Sequence, residues 1–248
     1  MKRHIELTMP GGTLRGYLDL PEGEGPHPAV IAFHGFTGDC TEHKFLLARL
    51  GRHLAASGIA VLRLSFLGSG ESDGEFYDTA LSDQARQGER ILDWARSQAA
   101  IDPDRMLLLG MSMGGCVATL VAQRRQSDLR GLILFAPAFR YAEKYRERYD
   151  ESGTLWHGNL AVGRAFLDEC LACDFAALLS DLKLPVRFFH GSADASVPLA
   201  ISEEFVRWPQ DARLTRLPGT DHGFDTPSGI AGLFAGVESA ARELLDCP

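Results

Sequence analysis

One stretch, Arg105 to Arg124, limits what this chain can fold into more than any other. It begins as a short apolar run, Met106 to Leu109, of the length and character of a strand buried on both faces. After Gly114-Gly115 it becomes a small-residue helical pattern, with Ser112 at the reversal between the two. Where a strand doubles back sharply into a helix the two backbones cross, so residues two places either side of the turn must be minimal. Gly110 and Gly114 meet that demand. Such a Gly-x-Ser-x-Gly turn pushes the Ser112 hydroxyl out above the sheet. The first turn of the helix then presents backbone N–H groups and a positive dipole end to any oxyanion formed there.

The same five-residue pattern recurs at Gly70-Glu71-Ser72-Asp73-Gly74. That copy follows the apolar run Val61 to Leu64 only after a gap, and Glu75-Phe76-Tyr77-Asp78 does not continue as an apolar-periodic helix. It reads as a polar loop, and Ser112 as the exposed nucleophile.

The remaining chain supplies the sheet that such a turn needs. Residues 4 to 9 and 13 to 20 alternate as strands around the turn signal Pro10-Gly11-Gly12, an antiparallel opening pair. Apolar runs at Ala29 to Phe33, Ile59 to Leu64, Leu132 to Phe135 and Val186 to Phe189 read as further strands, as does Arg213 to Leu217. Helical periodicity marks Glu42 to Ala56, Leu81 to Ala99, Ile201 to Trp208 and Gly229 to Leu245, with Asp102-Pro103-Asp104 as a turn into the central strand. This alternation predicts an α/β fold with a doubly wound, mostly parallel sheet of about eight strands. At 248 residues one domain, 1 to 248, accommodates it. The alternation breaks once, from Ala138 to Leu182, a charged and aromatic stretch read as a small helical lid inserted at the carboxyl end of a strand, where open α/β sheets bind ligands.

Composition closes off other classes. A net charge of −8 disfavours nucleic-acid and anionic-membrane partners, and no apolar run is long enough to span a bilayer. The amino terminus moves directly into strand alternation, which leads us to expect a cytoplasmic protein without a signal peptide. Five dispersed cysteines read as reduced thiols. Cys170-Leu171-Ala172-Cys173 is a C-x-x-C, but it sits within a helical pattern and has no second ligand pair, so no metal or cofactor is expected.

An activated serine needs a base, and the base needs an orienting acid. Asp194 follows the run Val186 to Phe189 in His190-Gly191-Ser192-Ala193-Asp194, and His222 follows Arg213 to Leu217 in Pro218-Gly219-Thr220-Asp221-His222. Each lies just beyond a different parallel strand, so both can converge on Ser112. The chain order Ser112, Asp194, His222 is that of an α/β-hydrolase. Asp221 is adjacent to the histidine and poorly placed to orient its ring; Asp225 is the reserve acid. His34 and His190, both at strand ends before glycine, read as structural.

These residues resemble the α/β-hydrolase superfamily along nearly the whole chain, and within it the bacterial cinnamoyl and feruloyl esterases. The likeness rests on Gly-Met-Ser-Met-Gly around Ser112, His-Gly-Ser-Ala-Asp-Ala-Ser-Val-Pro around Asp194, Gly-Thr-Asp-His-Gly-Phe around His222, and the turn His34-Gly35-Phe36-Thr37-Gly38. Ser65 and Ser69 stand where many relatives carry Asp and His. The resemblance implies a serine esterase in which the backbone N–H groups of Phe36 and Met113 hold the oxyanion. It also implies a small ester as substrate, with an aromatic acyl group of the hydroxycinnamoyl kind favoured. Tyr141, Tyr145, Tyr149, Trp156 and Phe166 of the insertion are the candidate substrate contacts, with packing among themselves, His157 included, as the other reading. A serine peptidase or thioesterase would use the same three residues; a non-catalytic binding protein on this fold would have no need of all three together. The sequence leaves the oligomeric state open, a homodimer included.

Overall fold

A computed structural model describes residues 1–145 and 148–247, with the side chain of Tyr141 outside the described part. The chain runs β1 (Lys2–Met9), β2 (Gly12–Asp19), β3 (His27–Phe33), α1 (Leu46–Ala56), β4 (Ala60–Leu64), α2 (Leu81–Arg96), β5 (Ile101–Met111), α3 (Met113–Arg124) and β6 (Gly131–Phe135). It continues through β7 (Thr154–His157), β8 (Leu160–Gly163), α4 (Arg164–Ala172), α5 (Phe175–Ser180), β9 (Val186–Gly191), α6 (Leu199–Phe205), β10 (Ala212–Leu217) and α7 (Pro227–Leu244). Eight of these strands form one sheet in the order β1-β2-β4-β3-β5-β6-β9-β10. The first two pairings, β1 with β2 and β2 with β4, are antiparallel and all the others parallel.

Alternate residues of the central strands feed two apolar layers, as the period of a strand requires. Ile31, Phe33, Leu62, Leu108 and Leu134 face a layer that includes Ile91 and Leu92 of α2 and Val117 and Val121 of α3. Val30, Val61, Leu107, Leu109 and Ile133 face another, shared with Leu47 and Leu54 of α1 and Leu233 and Val237 of α7. Both faces of the central sheet are therefore covered, which is why its central strands read as continuous apolar runs, while the edge strands β1 and β10 stay largely exposed. Among the described residues no helix is long and apolar enough to cross a membrane.

Three local expectations are corrected. The helix expected from Glu42 begins as an α-helix only at Leu46, because Glu42, Lys44 and Phe45 hold φ of 61°, 47° and 61°, outside helical space. Asp102-Pro103-Asp104 does not precede the central strand but bulges within it: His27 pairs with Ile101 and Ala29 with Met106, so residues 102–105 loop out opposite Pro28. An Asp104 N–H to Asp102 Oδ1 bond of 3.0 Å tightens that bulge.

The insertion is the third. It is not wholly helical: Thr154–His157 and Leu160–Gly163 pair as an antiparallel hairpin before α4 and α5. The Gly158-Asn159 dipeptide between two β-prone tetrads was a readable hairpin signal. Aromatic spacing by four in the preceding residues obscured it.

Candidate active site

The sharp turn is built as its glycines require. A Cβ on Gly110 would overlap the Gly114 carbonyl oxygen, and one on Gly114 would overlap the Phe33 carbonyl oxygen. Ser112 sits between them at φ 52° and ψ −115°, a conformation unfavourable for any residue with a Cβ. The neighbouring strand holds it there: its N–H donates to the Phe135 carbonyl at 2.8 Å, and its carbonyl accepts from Gly115 and Ala138 at 3.0 and 3.1 Å. As N-cap of α3 its hydroxyl makes no capping bond. It instead lies 3.1 Å from Nε2 of His222.

His222 reaches this place on the loop after β10, and its Nδ1 lies 2.6 Å from Oδ2 of Asp194, on the loop after β9. Asp194 is fixed by its other oxygen, which accepts the N–H groups of Ser196 and Val197 at 2.9 and 2.8 Å. Burial pushes the Asp194 carboxyl up, but hydrogen bonds from His190 and His222 outweigh it and hold the group well below the usual carboxylate range. A permanent carboxylate at Nδ1 fixes the tautomer whose Nε2 can accept the Ser112 proton. The sequence places all three on different strand ends, and the structure brings all three together.

The competing residues are engaged elsewhere. Asp221 accepts the Asp225 N–H through its side chain, and Asp225 pairs with His43 and Lys44 at 3.1 and 2.7 Å. His34 is fully buried: its Nε2 accepts the Phe66 N–H at 3.0 Å while Nδ1 lies 2.9 Å from the Gly35 carbonyl, and burial lowers its pKa, so it is a neutral loop anchor. His190 is held between the Ser202 hydroxyl and the Val197 carbonyl at 2.7 and 2.8 Å, and its Nε2 comes within 3.3 Å of Asp194. Ser72 is a buried bridge, accepting from the Arg15 N–H at 2.9 Å and donating to the Ser65 carbonyl at 2.8 Å. Ser65 accepts the Cys40 N–H at 3.0 Å, and the Ser69 hydroxyl is buried without a protein partner.

Two backbone N–H groups near Ser112 in the fold are left without a protein acceptor among the described residues. Met113 opens α3, so its N–H has no acceptor within the helix. The turn from Gly35 to Gly38 packs on Ser112, close enough that a Cβ on Gly35 would lie 3.4 Å from the Ser112 Cβ. Within that turn the Gly35 N–H is occupied by Glu42 Oε2 at 2.6 Å, while the bonds formed among the described residues do not use the Phe36 N–H.

Beside Ser112 lies a narrow apolar cavity of about 40 Å³, lined by Phe36, Met113, Tyr145, Tyr149, Phe166 and Cys170 among others. Phe36 stacks on Phe166 with ring centroids 5.2 Å apart. Tyr145, Tyr149 and Phe166, candidate substrate contacts in the sequence, are thus in its wall. Trp156 is not: it is 61% exposed and absent from the cavity wall, because the hairpin alternates and turns Leu155 inward instead. His157 packs edge-on against Phe36. The Tyr141 side chain lies outside the described residues. Unforeseen members of the wall are the Phe36 ring, Phe139 and Cys116, whose position one turn into α3 was the available signal. Burial pushes the Cys116 and Cys170 thiols up, and that of Cys173 to about 11. Such protonated thiols behave as small apolar groups. Opposite the cavity, an open cleft of about 480 Å³ runs past Gly38, Glu42, His43, Ser196, His222 and Asp225.

A mostly parallel sheet carrying Ser112, Asp194 and His222 beyond its strand ends defines an α/β-hydrolase. The chain belongs to the Serine aminopeptidase, S33 family, whose model matches residues 24–165. Among curated relatives, the uncharacterized protein Rv2307c of Mycobacterium tuberculosis is 27% identical over 216 residues, 87% of this chain and 70% of that protein. The 2,6-dihydropseudooxynicotine hydrolase of Paenarthrobacter nicotinovorans is 29% identical over 210 residues, 80% of this chain and 52% of that one. Of solved structures, Est1E from Butyrivibrio proteoclasticus with bound ferulic acid superposes at a TM-score of 0.89, with 23% identity and 98% and 99% of the two chains covered. At that identity the likeness is one of fold. The protein is a hydrolase of this class.

Proposed function

We propose that the protein is a serine carboxylesterase that forms an acyl-enzyme on Ser112. The observation that carries this reading is the hydrogen-bonded line Ser112–His222–Asp194, at 3.1 and 2.6 Å, beside an apolar cavity. His222 Nε2 takes the hydroxyl proton as Oγ bonds to the ester carbonyl carbon, and the N–H groups of Phe36 and Met113 hold the resulting oxyanion. The imidazolium, stabilised by Asp194, gives its proton to the departing alkoxide as the C–O bond breaks. Water, deprotonated by His222 in turn, attacks the acyl-enzyme; the acid leaves and Ser112 regains its proton.

The cavity supports an apolar acyl group, with the alcohol leaving through the open cleft. The rings of Phe36, Phe166, Tyr145 and Tyr149 favour an aromatic acyl group of the hydroxycinnamoyl kind. The ferulic acid bound to Est1E agrees with this. At about 40 Å³ the cavity has room for a few waters, so a short acyl group fits as it stands while an aromatic one requires the wall to open. Peptidase action is the second reading, prompted by the family's description.

A panel of feruloyl, acetyl, thioester and aminoacyl-amide substrates, run beside fluorophosphonate labelling, tests both. Ester turnover above amide turnover is expected, with labelling and turnover lost together in Ser112→Ala. Faster amide cleavage would favour the peptidase, and an unlabelled Ser112 would end the serine-hydrolase reading.

A further inference from the structure

Beside the site, Glu42 is held far from its own backbone preference. At φ 61° and ψ 170° it occupies a region that residues with a Cβ avoid, open essentially to glycine. A glutamate is kept there although glycine would fit without cost. Its carboxylate is what the conformation delivers: Oε2 accepts the Gly35 N–H at 2.6 Å and Oε1 accepts the His43 N–H at 3.2 Å. The same carboxylate lies against Gly38, where an added Cβ would stand 2.9 Å from Oε1. Both ends of the Gly35–Gly38 turn therefore rest on one side chain, and that turn is itself closed by a Gly38 N–H to Gly35 carbonyl bond of 3.1 Å.

We infer that Glu42 is a positioning residue for the oxyanion donor. By occupying the Gly35 N–H it fixes the plane of the adjoining backbone, leaving the next amide, that of Phe36, as the donor directed at the substrate carbonyl oxygen. A charge-assisted bond is strong enough to hold one orientation of a turn in which Thr37 is also left-handed, at φ 62°. The inference rests on the reading of Ser112 as nucleophile.

Three variants test it. Glu42→Gly and Glu42→Ala remove the acceptor, whereas Glu42→Gln retains an oxygen that can accept the Gly35 N–H. Removing an oxyanion donor costs on the order of 10²-fold in kcat, and misdirecting one should approach that. We expect kcat on a short ester to fall about 10²-fold in Glu42→Gly and Glu42→Ala with KM within about twofold, and Glu42→Gln to keep kcat within about fivefold. Glycine relieves the strain at this position as it gives up the Gly35 bond, and the two effects offset, so Glu42→Gly should melt near wild type while losing turnover. A merely structural glutamate would lose stability and activity together.

Phosphonylation of Ser112 by a fluorophosphonate, which also loads the oxyanion position, should slow in parallel with kcat. Wild-type rates in Glu42→Gly, or equal losses in Glu42→Gln and Glu42→Ala, would overturn the inference while leaving ester hydrolysis standing. A wild-type enzyme inert to both esters and the phosphonate would overturn the nucleophile assignment, and the inference with it.

Discussion

The two walls around Ser112 are held by different physics. On the side of Asp194 and His222 the loops are short extensions of β9 and β10, and buried or partly buried polar bonds of 2.6 to 3.1 Å fix each side chain. On the side of the insertion the wall is a satellite cluster of Leu155, Val162, Phe166 and Met113, with Phe36, Tyr145 and Tyr149 against it. Among the described residues its polar ties include the Tyr149 hydroxyl on the Gly163 carbonyl at 3.4 Å, Glu169 accepting from Ser82 on α2 at 2.7 and 2.9 Å, and the Lys144 ammonium donating to the Ser196 carbonyl at 2.5 Å. Directional bonds position reacting atoms; non-directional apolar contacts admit a range of shapes. The first wall is therefore suited to chemistry and the second to selecting among acyl groups.

The largest effect should separate the walls outright. Asp194→Asn is expected to fold and to lose about 10⁴-fold in turnover, the size of that loss in a comparable triad, whereas Asp221→Asn should stay near wild type. Equal losses would spread the acid function over both and erase the distinction. The same variant carries a signed pH effect. Because the folded Asp194 carboxyl titrates below its unfolded value, its ionised form stabilises the fold above about pH 4, and that stability is lost as pH falls through the folded value. The stability gap between wild type and Asp194→Asn should accordingly narrow as pH is lowered from about 6 to about 3 in chemical-denaturation curves. A constant gap would mean that the carboxylate contributes nothing through its charge.

A smaller effect sharpens the second wall. Phe166→Leu should raise KM for aromatic acyl esters several-fold, since an aromatic contact is worth on the order of 1 kcal/mol beyond burial, and should spare acetyl esters. The exposed Trp156 supplies the control: Trp156→Leu should change neither class. If Phe166→Leu slowed both substrates and fluorophosphonate labelling alike, the cavity wall would belong to the chemistry. The smallest effect lies outside both walls. Ser72→Ala should retain most turnover while lowering stability by about 1 to 2 kcal/mol, because the Arg15 N–H and Ser65 carbonyl lose a buried partner. A melting-temperature drop of roughly 2–6 °C with kcat intact is the expected result, and loss of turnover without loss of stability would reopen Ser72 as a reacting group.

What the sequence by itself determined is everything set by neighbours along the chain. Runs buried on both faces fixed the parallel strands, Gly110 and Gly114 fixed the turn at Ser112, and the ends of β9 and β10 fixed where Asp194 and His222 emerge. Short-range sterics and periodicity decide such features, and both are written in consecutive residues. Only the tertiary structure decided the rest. Glu42 looks like the first residue of a helix until Gly35, seven positions earlier, draws its carboxylate away. Phe36 reads as a backbone donor alone, and only folding brings its ring onto Phe166 of the insertion. Trp156 looks like a substrate contact until pairing with Ala161 turns it outward. Each outcome depends on a partner brought in by folding, and an apolar ring or a flexible carboxylate has no local preference strong enough to name that partner in advance.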